Sequence, residues 1–89
     1  MQTYSIIIAK RFTDELGEIL DFIAHSSPNN ALRFSNEIYA KIATLSTMPY
    51  RTRQNSIAND KNMRDMIFKG CIIVFFVNEN TEYVEILEV

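Results

Sequence analysis

The stretch Asn62–Val77, NMRDMIFKGCIIVFFV, decides how this chain is read. Lys69-Gly70 separates two runs of strand-forming residues, and such a Gly-containing dipeptide predicts a tight hairpin turn. Beyond that turn every residue from Cys71 to Val77 is apolar. Side chains alternate across a strand, so Cys71, Ile73, Phe75 and Val77 share one face while Ile72, Val74 and Phe76 share the other. A strand that is greasy on both faces needs a cover on both, and the rest of the chain must be searched for those covers.

Working outward, Met63–Phe68, Cys71–Asn78 and Glu82–Val89 read as three consecutive strands, with Asn78-Glu79-Asn80-Thr81 as the second turn. At the other end, Thr3–Lys10 is short and rich in β-branched residues, which predicts a first strand. Thr13 is the expected cap of a helix over Asp14–Ala24, where Leu16, Ile19, Leu20 and Ile23 form one apolar stripe. Ser27 is positioned to cap a second helix from Pro28 to Ser46, because proline suits the first helical position. Ala31, Phe34, Ile38, Ile42 and Leu45 supply its stripe. Met48-Pro49 ends the helix, and Tyr50–Asn59 reads as polar and irregular.

The predicted order is β-α-α-β-β-β: an α+β domain with a helical hairpin packed on one face of a mainly antiparallel sheet. One hairpin covers one face. The free face of an antiparallel sheet is usually polar, yet Ile72, Val74 and Phe76 fall there. An exposed apolar patch of that kind marks a partner surface. Strong curling of the sheet or a homodimer are the alternatives.

The 89 residues suit a single domain spanning 1–89 with one modest core. Cys71 is the only cysteine, which excludes an intramolecular disulfide and a thiolate zinc site, and it is expected to be buried and inert. Neither a signal peptide nor a bilayer-spanning run is evident, so a reducing, cytoplasmic setting without membrane contact is expected. A net charge of −2 argues against direct DNA binding by this chain. The distribution is uneven: Lys41–Lys69 holds six basic against two acidic residues, whereas Glu79, Glu82, Glu85 and Glu88 follow with no basic residue. Part of the surface is therefore basic.

No residue pattern nominates a catalytic group, metal ligand or cofactor site. His25, the only histidine, falls at the end of the first helix, where a cation complements the helix dipole. Asp14, Glu15, Glu18 and Asp21 read as a solvated acidic helix face. Arg51 and Arg53 sit in the polar loop, free to pair with the acidic helix or tail or to meet a partner. Arg64 stands on a strand, within reach of Glu85 or Glu88 across the sheet, or of a partner. The candidate partner- or target-binding set is Arg51, Arg53, Arg64, Lys69, Ile72, Val74 and Phe76.

Several of these segments resemble the RelE/ParE superfamily of bacterial toxins. They are IAHSSPNNALRFSNEI between the helices, the MP-x-R-x-R loop, and the finish RDMIFKGCIIVFFV with VEILEV. The Ser-Pro before a second helix holding Ala31, Arg33 and Phe34 is similar to the ParE branch in particular. The resemblance implies a type II toxin neutralised by a cognate antitoxin that threads a tail across it. It also implies one of two targets: DNA gyrase for the ParE branch, or ribosome-bound mRNA for the RelE branch.

The RelE branch cleaves RNA with basic residues. Its Lys-x-Lys positions fall here on Met63 and Asp65, its position two after the glycine on Ile72, and its closing arginine on Glu88. With Val89 as the final residue, the catalytic tail of that branch is also lacking. Carboxylates in place of cations would repel a scissile phosphate, and a lost acid or base costs about 10²–10⁴ in rate. The expectation is a ParE-like gyrase inhibitor rather than an enzyme. An mRNA interferase or an inactive antitoxin-binding remnant are the alternatives.

Overall fold

The computed structural model describes residues 3–89. β1 (Ser5–Ile8) leads into α1 (Lys10–Ser26) and α2 (Pro28–Ala43), followed by 3-10 turns at Thr44–Ser46 and Pro49–Arg51. Then come β2 (Arg53–Gln54), β3 (Met63–Phe68), β4 (Cys71–Asn78) and β5 (Tyr83–Glu88). The sheet order is β1-β5-β4-β3-β2. Only the β1–β5 pair is parallel; the other three are antiparallel. The α+β architecture with a helical hairpin on a mainly antiparallel sheet is the one expected from the sequence.

The hairpin β3–β4 closes through Lys69 (φ 47°) and Gly70 (φ 81°). Two consecutive positive φ values give a turn whose twist matches that of the strands, and glycine adopts that conformation without the usual steric cost. Register follows directly, with Met66 opposite Ile73 and Ile67 opposite Ile72. On the helix-facing side Ile73, Phe75, Val77, Val84 and Ile86 are sealed against Phe12, Leu16, Ile38, Ile42 and Leu45. Phe34 from α2 meets Phe68 from β3 edge-on, ring centroids 5.3 Å apart. Each such buried aliphatic or aromatic side chain contributes about 1.5–3 kcal/mol.

The second helix starts as the sequence predicts. Ser27 Oγ accepts a hydrogen bond from the Asn30 N–H at 3.2 Å, with Pro28 in the first turn. The first helix does not. It begins a full turn earlier, at Lys10 with Ala9 as the cap, and Thr13 lies inside it, its N–H bonded to the Ala9 carbonyl. The physical reason is Phe12, which is fully buried and extends the apolar stripe by one turn. Core burial outweighs the modest preference for a hydroxyl cap. The first strand is correspondingly shorter than Thr3–Lys10. The last strand starts at Tyr83 because Glu82 has φ 58°, a turn conformation. Cys71 is half-buried rather than buried.

The loop read as irregular holds a short edge strand, β2, with Arg53 opposite Asp65 and Gln54 opposite Arg64. One strand in from the opposite edge, which is β1, the C-terminal strand β5 is tied to α1. Arg11 Nη2 lies 2.7 Å from Glu88, and the Val89 N–H donates to Glu15 Oε1 at 3.1 Å. Glu15 therefore leaves the solvated acidic face expected of it and serves as a tertiary contact. No helix of the described residues is long and apolar enough to cross a membrane.

Candidate functional site

The face of the sheet turned away from the helices is built by alternation. β4 contributes Ile72, Val74 and Phe76, β3 contributes Met63, Asp65 and Ile67, and β1 contributes Ile7. Ile67 and Ile72 are cross-strand partners and remain 57% and 46% exposed, while Ile7 is 42% exposed. These three isoleucines lack the cover that the helices give to the opposite face. Val74 and Phe76, between them, are more deeply placed.

Part of this face is covered by the chain itself. Asp65 is buried there, and Asn55 Nδ2 donates to its Oδ1 at 2.7 Å. Asn55 Oδ1 in turn accepts from the N–H groups of Ile57 and Ala58 at 3.0 and 2.8 Å, which folds the loop over the carboxylate. Arg53 completes the arrangement at 3.6 Å from Asp65 Oδ2. Its ion pair is thus with the neighbouring strand, not with the acidic helix or tail.

Arg64 turns to the other side. Its guanidinium donates to the carbonyls of Lys61 (3.1 Å), Tyr50 (3.3 Å) and Thr52, and it stacks on the Tyr50 ring at 5.4 Å. It does not pair with Glu85 or Glu88: Glu88 is held by Arg11. The reason is topological, since residues at alternate positions of β3 face opposite sides, and the carbonyls of the loop are closer than any carboxylate. Lys69 pairs with Glu37 of α2 across the β3–β4 turn. Arg51 extends from the second 3-10 turn, where its Nη1 donates to the Met48 sulfur at 3.6 Å.

The seven nominated residues therefore divide. Ile72, Val74 and Phe76 share the outer face with Arg53 at its margin; Arg51, Arg64 and Lys69 lie on the helix side. His25 closes α1, its Nδ1 3.2 Å from the Asp21 carbonyl oxygen. A cluster that the sequence does not signal joins Tyr4, Tyr50, Asn62 and Glu79. The Tyr4 hydroxyl donates to Glu79 Oε1 at 3.4 Å, and Asn62 Nδ2 donates to the Tyr50 hydroxyl at 3.2 Å and to the Val77 carbonyl at 2.8 Å. Burial first, then the Glu79 carboxylate, pushes the Tyr50 phenol up to about 12 and raises that of Tyr4 as well. Both are protonated at neutral pH and do not act as bases. Their spacing along the chain follows no motif, so only the fold brings them together. Among the described residues no group of three His, Cys, Asp or Glu side chains is placed to hold a metal ion.

Comparison with known families gives a match to the ParE toxin of type II toxin–antitoxin systems (parDE) over residues 6–89. The chain belongs to the ParE toxin family. A solved structure titled as the chromosomal ParDE toxin–antitoxin system from P. aeruginosa contains a chain of the same fold, with a TM-score of 0.75. That alignment covers 97% of this chain and 92% of the other at 16% identity. A search of curated proteins finds no significant match. This ParE chain keeps the fold at low identity because the apolar periodicity, not the individual residues, specifies its layers. At the positions where the sequence resemblance places the cations of the RNA-cleaving branch, this ParE chain has the half-buried Met63, the ion-paired Asp65 and the exposed Ile72.

Proposed function

We propose that this ParE toxin acts in the cytoplasm by binding and inhibiting DNA gyrase without catalysis of its own, and that a cognate antitoxin holds it inactive by covering the outer sheet face. Family membership carries the reading. The exposed isoleucines of the outer face support the antitoxin part, since an apolar patch bordered by polar groups is the usual form of a protein interface. The replacement of phosphate-binding cations by Met63, Asp65 and Ile72 favours target binding over RNA cleavage.

Supercoiling by purified gyrase tests the first half. Inhibition at micromolar toxin, with no new mRNA ends in a toeprinting assay on translating ribosomes, is the expected result. Full supercoiling activity at those concentrations rejects it. Ile72→Asp tests the second half, since a carboxylate placed under an antitoxin tail should weaken the complex tenfold or more while leaving the free toxin folded.

A further inference from the structure

The two edges of the sheet are finished differently. At the β2 edge, Arg53 and Gln54 form a two-residue strand that carries a charge, and the loop beyond it folds over Asp65. Shortness and charge are devices by which edge strands avoid pairing with other chains. β1 carries neither. It is bonded to β5 on one side and to no strand on the other among the described residues. Ser5-Ile6-Ile7-Ile8 runs on to Ala9 without a charge or a proline.

The direction of the backbone groups shows which of them are open. The N–H groups of Ser5 and Ala9 donate to the carbonyls of Glu82 and Ile86, both at 2.9 Å. Alternation therefore turns the N–H and C=O groups of residues 5, 7 and 9 towards β5, and those of Ile6 and Ile8 towards the open edge. The Tyr4 N–H also faces away from β5, and it donates to the Ser46 carbonyl at 2.7 Å. One end of the open stretch is thus closed at Tyr4 by the 3-10 turn after α2. The other end is Lys10, where the chain enters α1. An added strand has room along residues 5–9 only.

Chemistry and symmetry select its occupant. The edge has no charge with which to choose an acidic or basic partner, and Lys10 beside it is paired with Asp14. Its side chains are isoleucines: Ile7 is exposed on the outer face, and Ile6 and Ile8 pack against the core. A neutral, β-branched strand of the matching length is β1 itself. Antiparallel pairing about a two-fold axis at Ile7 sets Ile6 opposite the partner's Ile8, and Ile8 opposite the partner's Ile6. These are the residues whose backbone groups are open, so each pair exchanges two hydrogen bonds, about four in all. Ile7 meets the partner's Ile7 on the axis, at a non-hydrogen-bonded position where side chains approach closest. The register is self-complementary, as an isologous contact requires.

We propose that the free protein pairs with a second copy through β1, joining two five-stranded sheets edge to edge. The axis runs normal to the sheet, so both helical hairpins stay on one side and the two outer faces become continuous on the other. A contact this narrow falls below the ~1,200 Å² typical of stable interfaces, so the dimer is weak and concentration-dependent. The proposal depends neither on the gyrase reading nor on the antitoxin contact.

Sedimentation equilibrium of the full chain from about 1 µM to about 1 mM should show a monomer passing to a dimer and no further, since pairing consumes the β1 edge. Over the same range the Ile6 and Ile8 amides should gain protection from hydrogen exchange, while that of Ile7, already directed at β5, should not change. Ile7→Lys and Ile7→Glu, at an exposed position, set like charges opposite one another and should each weaken association at least about fivefold. An equimolar mixture of the two variants should recover the dimer. Ile72→Asp, on the same face but away from the edge, should leave it unchanged. A monomer throughout the range, association indifferent to charge at position 7, no recovery in the mixture, or Ile6 and Ile8 amides that exchange alike at both ends of the range would each overturn the proposal. Loss of the dimer in Ile72→Asp would overturn it too, assigning association to stacking of the outer faces.

Discussion

Ile72 and the odd positions 73, 75 and 77 of β4 are chemically alike and structurally opposed. Ile73, Phe75 and Val77 are sealed beneath the helical hairpin, whereas Ile72 remains 46% exposed on the other face beside Ile67. Composition cannot separate the two sets, since both are apolar. What separates them is the supply of covering elements: one hairpin closes one face. The same kind of side chain therefore stabilises the fold on one side and remains available to a partner on the other.

Substitutions on the two faces give the sharpest way to break that comparison. Phe75→Ala should cost about 3–5 kcal/mol, a loss of most of the stability of a small domain, because it opens a cavity in a sealed layer. Ile72→Ala, one strand residue class away in position and chemistry, should cost under about 1 kcal/mol. Equal shifts in the urea midpoint for the two would show that the outer face is closed in solution.

A smaller effect is expected at the sheet edge. Arg64→Ala leaves three loop carbonyls without their charged donor and should cost about 1–3 kcal/mol. Hydrogen exchange should locate the damage in residues 50–62, with the core strands still protected. Smaller again, Ser27→Ala removes the side-chain cap of α2 and should cost about 1 kcal/mol by thermal denaturation. A loss several times larger would mean that the helical hairpin depends on its turn more than on its apolar seam.

The least effect belongs to the tyrosine cluster and appears only in alkali. The folded state holds the Tyr50 proton more tightly than the unfolded chain does, with the phenol raised to about 12, and that of Tyr4 is raised too. Their contribution to stability is complete below pH 10, the ordinary phenol value, and is lost as pH rises from 10 towards 12. Tyr50→Phe should flatten the fall in denaturation midpoint over that interval and leave it unchanged at neutral pH. A wild-type midpoint that stays level above pH 10 would contradict the raised phenols beside Glu79.

The sequence by itself determined the order of the elements apart from β2 and the 3-10 turns, the Lys69-Gly70 turn, the Ser27 cap of α2 and the double-sided apolarity of β4. All four rest on local rules: periods of two and 3.6 residues, a turn that needs positive φ, and a side chain that reaches its own backbone three residues on. Tertiary structure alone decided that α1 starts at Lys10, because Phe12 finds its core partners on other elements. It likewise decided that residues 53–54 pair as a strand and that Arg64 binds loop carbonyls rather than a glutamate. Each of those outcomes depends on groups far apart in the chain whose distance is set by packing, and no spacing along the sequence encodes it.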